Sequence, residues 1–175
     1  MDKVKTEIRG NQLKIHIDDD YKKSRNAEIK VYLTFTNLEG LDASSGASVL
    51  LEDAVSAESF ELDSSSGAHI KVEANLKAKN MNIDVSSGSH ITVESVEADE
   101  LEVDASSGAS VTIEGGSANR LMADVSSSGK LDAYELKCKH VKADGSSGGG
   151  VKIHASESIE GNCSSGAWVY YKGSP

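Results

Sequence analysis

One short motif, Asp-x-Ser-Ser-Gly, recurs along most of the chain and restricts the folds open to it. Its copies are 21, 21, 20, 20, 20 and 18 residues apart. A period of this length is typical of solenoids, in which each repeat is one stacked unit. The motif begins at Asp42, Asp63, Asp84, Asp104, Asp124 and Asp144, and a seventh copy, NCSSG, begins at Asn162.

Apolar and polar residues alternate on either side of each motif. In the fourth copy the apolar positions are Leu101, Val103, Val111 and Ile113, and the other copies repeat them at matching offsets. Alternation with a period of two indicates strands. So short a repeat can bury its apolar face only by stacking on its neighbours, about 4.8 Å apart. A leucine-rich repeat would need Leu and Asn at fixed offsets, which are absent.

The sequence therefore predicts an all-β fold, a single-stranded right-handed parallel β-helix (β-solenoid). We call each 18–21-residue turn a rung, and expect about seven rungs. The handedness follows from the right-handed preference of parallel crossovers. We expect one domain over residues 1–175, with irregular N-terminal strands in 1–40 and the repeat rungs in 41–175.

Each motif is predicted to form a sharp corner. Glycine is the residue that most easily adopts a positive φ, and Ser and Asp can hydrogen-bond to the turn backbone. We expect one of the two serine columns to point inward. In the fifth copy Ser128 replaces the glycine, and Gly129 follows. The predicted corner residues are Ser45, Gly46, Ser66, Gly67, Ser87, Gly88, Ser107, Gly108, Ser147, Gly148, Ser165 and Gly166.

The first 40 residues fit the repeat less well. KTEIRG and NQLKIHIDD, from Lys5 and Asn11, indicate a hairpin-like pair of strands. Residues 18–26 indicate a charged loop, and residues 28–41 a strand that leads into the first rung.

Composition excludes several classes of function. A net charge of -10 argues against nucleic acid, whose phosphates require a basic surface, and against an anionic membrane. No run approaches the roughly 18 apolar residues of a membrane span. The N-terminus lacks the apolar stretch of a signal sequence, and we expect such a signal to have been removed from this chain.

Three segments resemble a bacterial family of putative auto-transporter adhesins with a head GIN domain. They are LKIHI at Leu13, LDASSGASV at Leu41 and VYYKGSP at Val169. The resemblance implies a right-handed β-helix in secreted or cell-surface proteins, mostly of Bacteroidetes. It predicts an extracellular, cell-surface or periplasmic location.

No set of residues amounts to a catalytic mechanism, and we expect no enzyme activity and no cofactor. The predicted function is a non-catalytic adhesin-like or structural module whose partner is an unknown protein or glycan at the cell surface. The alternatives are a carbohydrate-binding or carbohydrate-active β-helix and, third, a module for lipid or another apolar ligand.

Two acidic columns are expected to face outward. The Asp column would need hydrogen bonds from corner serines and backbone N–H groups, or bound cations such as Ca²⁺, to offset its repulsion. Asp63, Asp84 and Asp104 are the cation candidates. A solvated face is expected for the second column, Glu52, Glu73, Glu94 and Glu114.

The remaining candidates are histidines, cysteines and aromatic residues. His69 and His90 should be adjacent and exposed, without a third metal ligand. Cys138 and Cys163 should be small buried residues in different columns, with no disulfide. Trp168 and Tyr170 should face outward and Tyr171 inward. The aromatic group would cap the solenoid, form a homo-oligomer contact through its end, or stack on a sugar.

Overall fold

In the computed structural model, which describes residues 4–18 and 29–175, the regular secondary structure consists of strands. The chain divides into two units, Met1–Phe35 and Thr36–Pro175. In the first unit β1 (Val4–Arg9) and β2 (Gln12–Ile17) pair antiparallel, which confirms the predicted hairpin. Gly10 adopts a φ of 61° between them. The predicted charged loop lies outside the described residues, apart from Asp18.

The second unit is a β-solenoid of about seven rungs, as predicted. All of its strand pairings are parallel, and its ten strands form one continuous sheet. The longer strands continue through the bends of a rung. The strands are β3 (Gly40–Ala43), β4 (Ser48–Leu51), β5 (Val55–Ser64), β6 (His69–Val85), β7 (His90–Ala105), β8 (Ser110–Ile113), β9 (Gly116–Val125), β10 (Lys130–Gly145), β11 (Gly150–Cys163) and β12 (Trp168–Lys172).

Like residues stack on like residues from rung to rung. Ile70 pairs with Ile91, and Leu101 with Leu121. These side chains are almost completely buried. Aliphatic ladders of this kind fill the core, and each rung obtains its buried apolar area from the rungs on either side.

The corners are tight turns with the same backbone geometry in every rung. The carbonyl of the first serine accepts a hydrogen bond from the N–H three residues later, at 2.8 to 3.2 Å. Both central residues have a positive φ, for example 54° at Ser107 and 72° at Gly108. This combination is typical of a type I′ turn. The predicted role of the glycines is confirmed, but the positive φ of the serine beside each glycine was not foreseen.

Neither corner serine column points inward, so that prediction was wrong. The first serine of each corner is half-buried in the inner rungs and exposed in the first and last rungs. The second serine is exposed in every rung. The interior position belongs to the residue after the glycine, such as Ala68 or Ser89. Among the described residues the buried serines are Ser64 and Ser89, and the Ser89 hydroxyl lies 2.6 Å from the carbonyl oxygen of Ser64.

The predicted strand at residues 28–41 was also wrong over most of its length. Residues 29–39 form no strand, and β3 begins only at Gly40. The alternating pattern around Val31 and Leu33 does not correspond to burial, because these two residues, which alternation would place inside, are 48% and 53% exposed.

Two outer surfaces of the solenoid carry the candidate sites. The post-corner face contains the outward residues of the segments that follow each corner: 48–51, 69–72, 90–93, 110–113, 130–133, 150–153 and 168–171. The pre-corner face contains those of the segments that precede it: 59–63, 80–84, 100–104, 120–124, 140–144 and 158–162.

Candidate functional site

The aspartates form a continuous ladder along the edge of the pre-corner face. Asp42 pairs with Asp63, Asp63 with Asp84, and Asp84 with Asp104. The ladder continues through Asp124 and Asp144 to Asn162. The predicted column is confirmed. At the C-terminal end, however, an amide replaces the carboxylate.

Crowding in this ladder changes the acidity of its members. Partial burial, reinforced by the charges of Glu61, Asp84 and Asp42, raises the pKa of Asp63 from 3.8 to about 6. Partial burial and the neighbouring carboxylates also raise the pKa of Asp104. At Asp63 and Asp104 the folded chain therefore favours the protonated carboxyl group more than water does.

Amides and a lysine, rather than corner serines, provide the side-chain hydrogen bonds to this ladder. Asn82 donates to Asp84 at 2.8 Å, and Asn162 donates to Asp144 at 2.9 Å. The Asn162 hydrogen bond, assisted by Lys142, lowers the pKa of Asp144. Among the described residues, the predicted serine hydrogen bonds to the carboxylates are absent.

A groove of about 350 Å³ runs beside the ladder and includes all three cation candidates, Asp63, Asp84 and Asp104. Within residues 4–18 and 29–175, no three acidic, His or Cys side chains converge as metal ligands would. A binding role for these aspartates stays a prediction.

A second groove, of about 690 Å³, crosses the pre-corner face beside residues 37–39. Glu61, Glu100 and Glu102 line it together with Asn82 and Met122. Sequence reasoning missed this groove, because residues 37–39 had been assigned to a strand.

The histidine pair lies on the post-corner face as predicted. His69 pairs with His90 in the sheet, and their rings stack with centroids 5.0 Å apart. The glutamates of the second acidic column are exposed. One of them, Glu73, forms an ion pair with Lys71.

The two cysteines occupy the predicted columns but differ in burial. Cys138 stacks between Ala118 and Ala155 and is 1% exposed. Burial raises the pKa of its thiol to about 12. Cys163 is exposed, so its predicted burial was wrong: it belongs to the last copy of its column, with no rung beyond it.

The terminal strand β12 presents the aromatic candidates. Trp168 pairs with Gly150, and Tyr170 with Lys152. The two rings lie 5.0 Å apart and are tilted by 44°. Tyr171 occupies the inward column beside Ile153 but is 55% exposed, because no further rung covers it.

A lysine of β12 contacts two residues of β10, two rungs earlier in the solenoid. The Lys172 ammonium group lies 2.8 Å from a Glu135 carboxylate oxygen and 4.2 Å from the ring centroid of Tyr134. Sequence reasoning missed this cluster, although the short 18-residue spacing of the last rung was a signal. That rung leaves Tyr134 and Glu135 outside the pairing of β10 with β11.

Charge is distributed unevenly along the solenoid. Residues 36–129 contain 17 Asp and Glu against 4 Lys and Arg, a net charge of -13. Residues 130–175 contain 5 acidic and 6 basic residues, a net charge of +1. An anionic ligand is therefore repelled least by the last rungs.

The sequence model of one family matches almost the whole chain. The family is described as putative auto-transporter adhesin, head GIN domain, and the matched segments are residues 1–75 and 61–175. No curated protein matches significantly. In the described part of the chain, no helix has the length and apolar character to cross a membrane.

Two solved structures share the fold. A putative adhesin from Parabacteroides distasonis is 18% identical with a TM-score of 0.75, over 98% of this chain and 76% of that one. A putative adhesin from Parabacteroides merdae is 14% identical with a TM-score of 0.69, over 97% of this chain and 78% of that one.

Proposed function

Because the chain belongs to the family of putative auto-transporter adhesins with a head GIN domain, we propose that it is a non-catalytic binding module at the cell surface. Its partner is a protein or glycan that lies along one face of the solenoid. An extracellular, cell-surface or periplasmic location is part of this proposal. The proposal goes beyond the family description, which mentions adhesion but not the partner that is bound.

The observation that carries the proposal is the regularity of the rungs. Successive corners are 18 to 21 residues apart, so the repeats have no room for the long loops with which a β-helix would enclose a substrate. The two grooves described above lie open on strand faces. Extended, repetitive faces suit contact with a large partner. The comparisons give no support to a carbohydrate-active or a lipid-binding protein.

The test is retention of chain-coated beads on immobilised extracellular matrix proteins and on a glycan array, with and without Ca²⁺. Two double variants, one on each face, identify the face used. Glu61→Lys with Glu102→Lys alters the pre-corner face, and Thr92→Lys with Thr112→Lys alters the post-corner face.

We expect one double variant to abolish retention and the other to preserve it, while both unfold cooperatively as the wild-type chain does. Retention of the wild-type chain on none of the surfaces would contradict the proposal. So would turnover of a polysaccharide substrate by the purified chain, since that would show an enzyme.

A further inference from the structure

We propose that the post-corner face of the last rungs binds an acidic saccharide, with a pyranose ring stacked on Trp168 and Tyr170 and its carboxylate facing Lys130. This inference rests on the proposed binding function and deepens it by naming a ligand class. It concerns the part of the solenoid where the local charge is not acidic.

The first support is a pair of adjacent outward rings, of which Tyr170 is exposed and Trp168 is half-buried. Trp168 and Tyr170 are two residues apart on β12 and therefore project from the same side of the sheet. Tyr170 is 63% exposed, and the ring centroids are 5.0 Å apart. Adjacent surface aromatics mark contact sites more often than isolated ones. The electron-rich face of an aromatic ring attracts the polarised C–H groups of a pyranose.

The second support is the way in which Trp168 is held. Its ring lies directly over Gly150 of the preceding rung, where an added Cβ would be 2.3 Å from Cζ2 and 2.6 Å from Cε2. The indole therefore packs on the backbone of the preceding rung, and a side chain at position 150 would have to displace it. This packing lowers the freedom that the ring has left to lose on binding.

The third support is that the pair does not cap the solenoid. Val169 and Tyr171 occupy the inward columns of β12, in register with Val151 and Ile153. Trp168 and Tyr170 alternate with them and face outward. Covering the end of the core therefore falls to Val169 and Tyr171, and the outward rings of Trp168 and Tyr170 take no part in it.

The fourth support is an available positive charge. Lys130 pairs with Gly150 on the side away from Trp168, so its Cα lies about 10 Å from that of Trp168 by the spacing of strands. Lys130 is exposed and forms no ion pair within the described part of the chain. Lys152, by contrast, is paired with Asp132 at 3.2 Å. Lys130 thus stands in the same outward column as Trp168, with Gly150 between them.

Trp168 is the only tryptophan in the chain, so its fluorescence reports on this site alone. The probes are tetrasaccharides of galacturonate, mannuronate and glucuronate, with cellotetraose as the neutral control. We expect a saturable fluorescence change with at least one acidic probe, and binding of that probe about twofold to fivefold tighter than cellotetraose.

Calorimetry on variants locates the site. Trp168→Ala should abolish binding, and Gly150→Ala should weaken it by displacing the ring while the core stays intact. Lys130→Ala should remove the preference for the acidic probe. Tyr32→Ala, at a tyrosine that is 90% exposed in the other unit, is the matched control and should bind like the wild-type chain.

Three results would each overturn the inference. They are no binding of any of the three acidic probes, equal affinity for cellotetraose and the acidic probes, and undiminished binding by Trp168→Ala. The bead assay separates this failure from failure of the proposed function. Beads that adhere equally well with wild-type chain and Trp168→Ala would leave the binding function standing and place its contact elsewhere. Wild-type beads that adhere to nothing would remove the proposed function itself.

Discussion

At each corner a serine, and not only the glycine after it, adopts a positive φ. The serine φ values lie between 47° and 63°, in a region that costs an ordinary residue about 1–2 kcal/mol. Added Cβ atoms at Gly88 and Gly108 would meet nothing within 4 Å. The glycines are therefore favoured by the backbone conformation and not by crowding.

Ser128 provides a direct test, because it occupies the glycine position of its corner with a φ of 63°. We expect Ser128→Gly to stabilise the chain by about 1 kcal/mol, since glycine adopts this conformation without a steric penalty. The measurement is the free energy of unfolding in urea. Gly108→Ser is the matched reverse change and should cost a similar amount. A loss of stability in Ser128→Gly would refute this account of the corner.

The aspartate ladder predicts a dependence of stability on pH. The pKa of Asp63 is raised in the folded chain from 3.8 to about 6, so the folded chain binds more protons than the unfolded chain between these values. The contribution of this group is thus fully present below about pH 4 and is lost as the pH rises through 6. Asp63→Asn, which stays neutral, should raise the melting temperature at pH 7 but hardly at pH 4.

Asp144 offers a control of opposite sign. The hydrogen bond from Asn162 lowers the pKa of Asp144, so its charged form stabilises the fold and that contribution is lost on acidification. Asp144→Asn should therefore lower the melting temperature at pH 7, with a smaller effect as the pH falls. An Asp63→Asn advantage as large at pH 4 as at pH 7 would show that charge repulsion is not its cause.

At the scale of the strand, β9 begins at a glycine that the stack requires. Gly116 has a φ of 105°, and a Cβ there would lie 2.0 Å from the carbonyl oxygen of Val96. Both the conformation and the space exclude a side chain. Gly115 is next to it in sequence, but a Cβ at that position would meet only the Glu94 carbonyl oxygen, at 3.5 Å.

We expect Gly116→Ala to destabilise the chain by more than about 2 kcal/mol, because the backbone of β7 or β9 must move. Gly115→Ala should change stability by less than about 1 kcal/mol. Urea unfolding of the two variants gives the comparison. Similar losses in both would mean that flexibility of the Gly115–Gly116 pair, rather than the close approach to Val96, is what matters.

The same scale shows what the sequence could predict. The pairing of Ile70 with Ile91 and of Asp84 with Asp104 followed from the repeat, because like residues recur at one spacing. The exposure of Cys163 and Tyr171 did not follow, since a column position is buried only where a further rung covers it. Around Val31 the alternation was present but the strand was not.

The candidate site, too, was predicted only in part. The sequence placed Trp168 and Tyr170 on an outer face, since they alternate with Val169 and Tyr171. It did not reveal that the indole lies over Gly150, because a column assigns a face but not the direction in which a side chain leans. The hydrogen bonds from Asn82 and Asn162 were missed for a related reason: turn chemistry suggested the nearer serines.

Across the whole molecule, the rungs differ in protection because only the inner ones have neighbours on both sides. The two cysteines show this difference, because Cys138 lies in the core and Cys163 is exposed in the last rung. We expect a thiol reagent to label Cys163 in the native chain at once. Cys138, whose pKa is raised to about 12 by burial, should react only when the solenoid unfolds.

The Cys163→Ser variant isolates the second event. Its labelling rate should follow global unfolding as urea is added, and its unfolding midpoint should match that of the wild-type chain. Rapid labelling of Cys138 without denaturant would contradict the closed core described above.

The repeated register of the rungs also bears on how such a protein changes its length. Apart from the register shifts after Val72, Ala133 and Cys138, the residue columns continue from one rung to the next, so an in-frame duplication of a 20-residue rung would place nearly every new side chain on a matching neighbour. The corner turn, the core ladder and both end strands would keep their surroundings. The length of the solenoid is thus a quantity that can be inherited as a number of copies, without redesign of its ends.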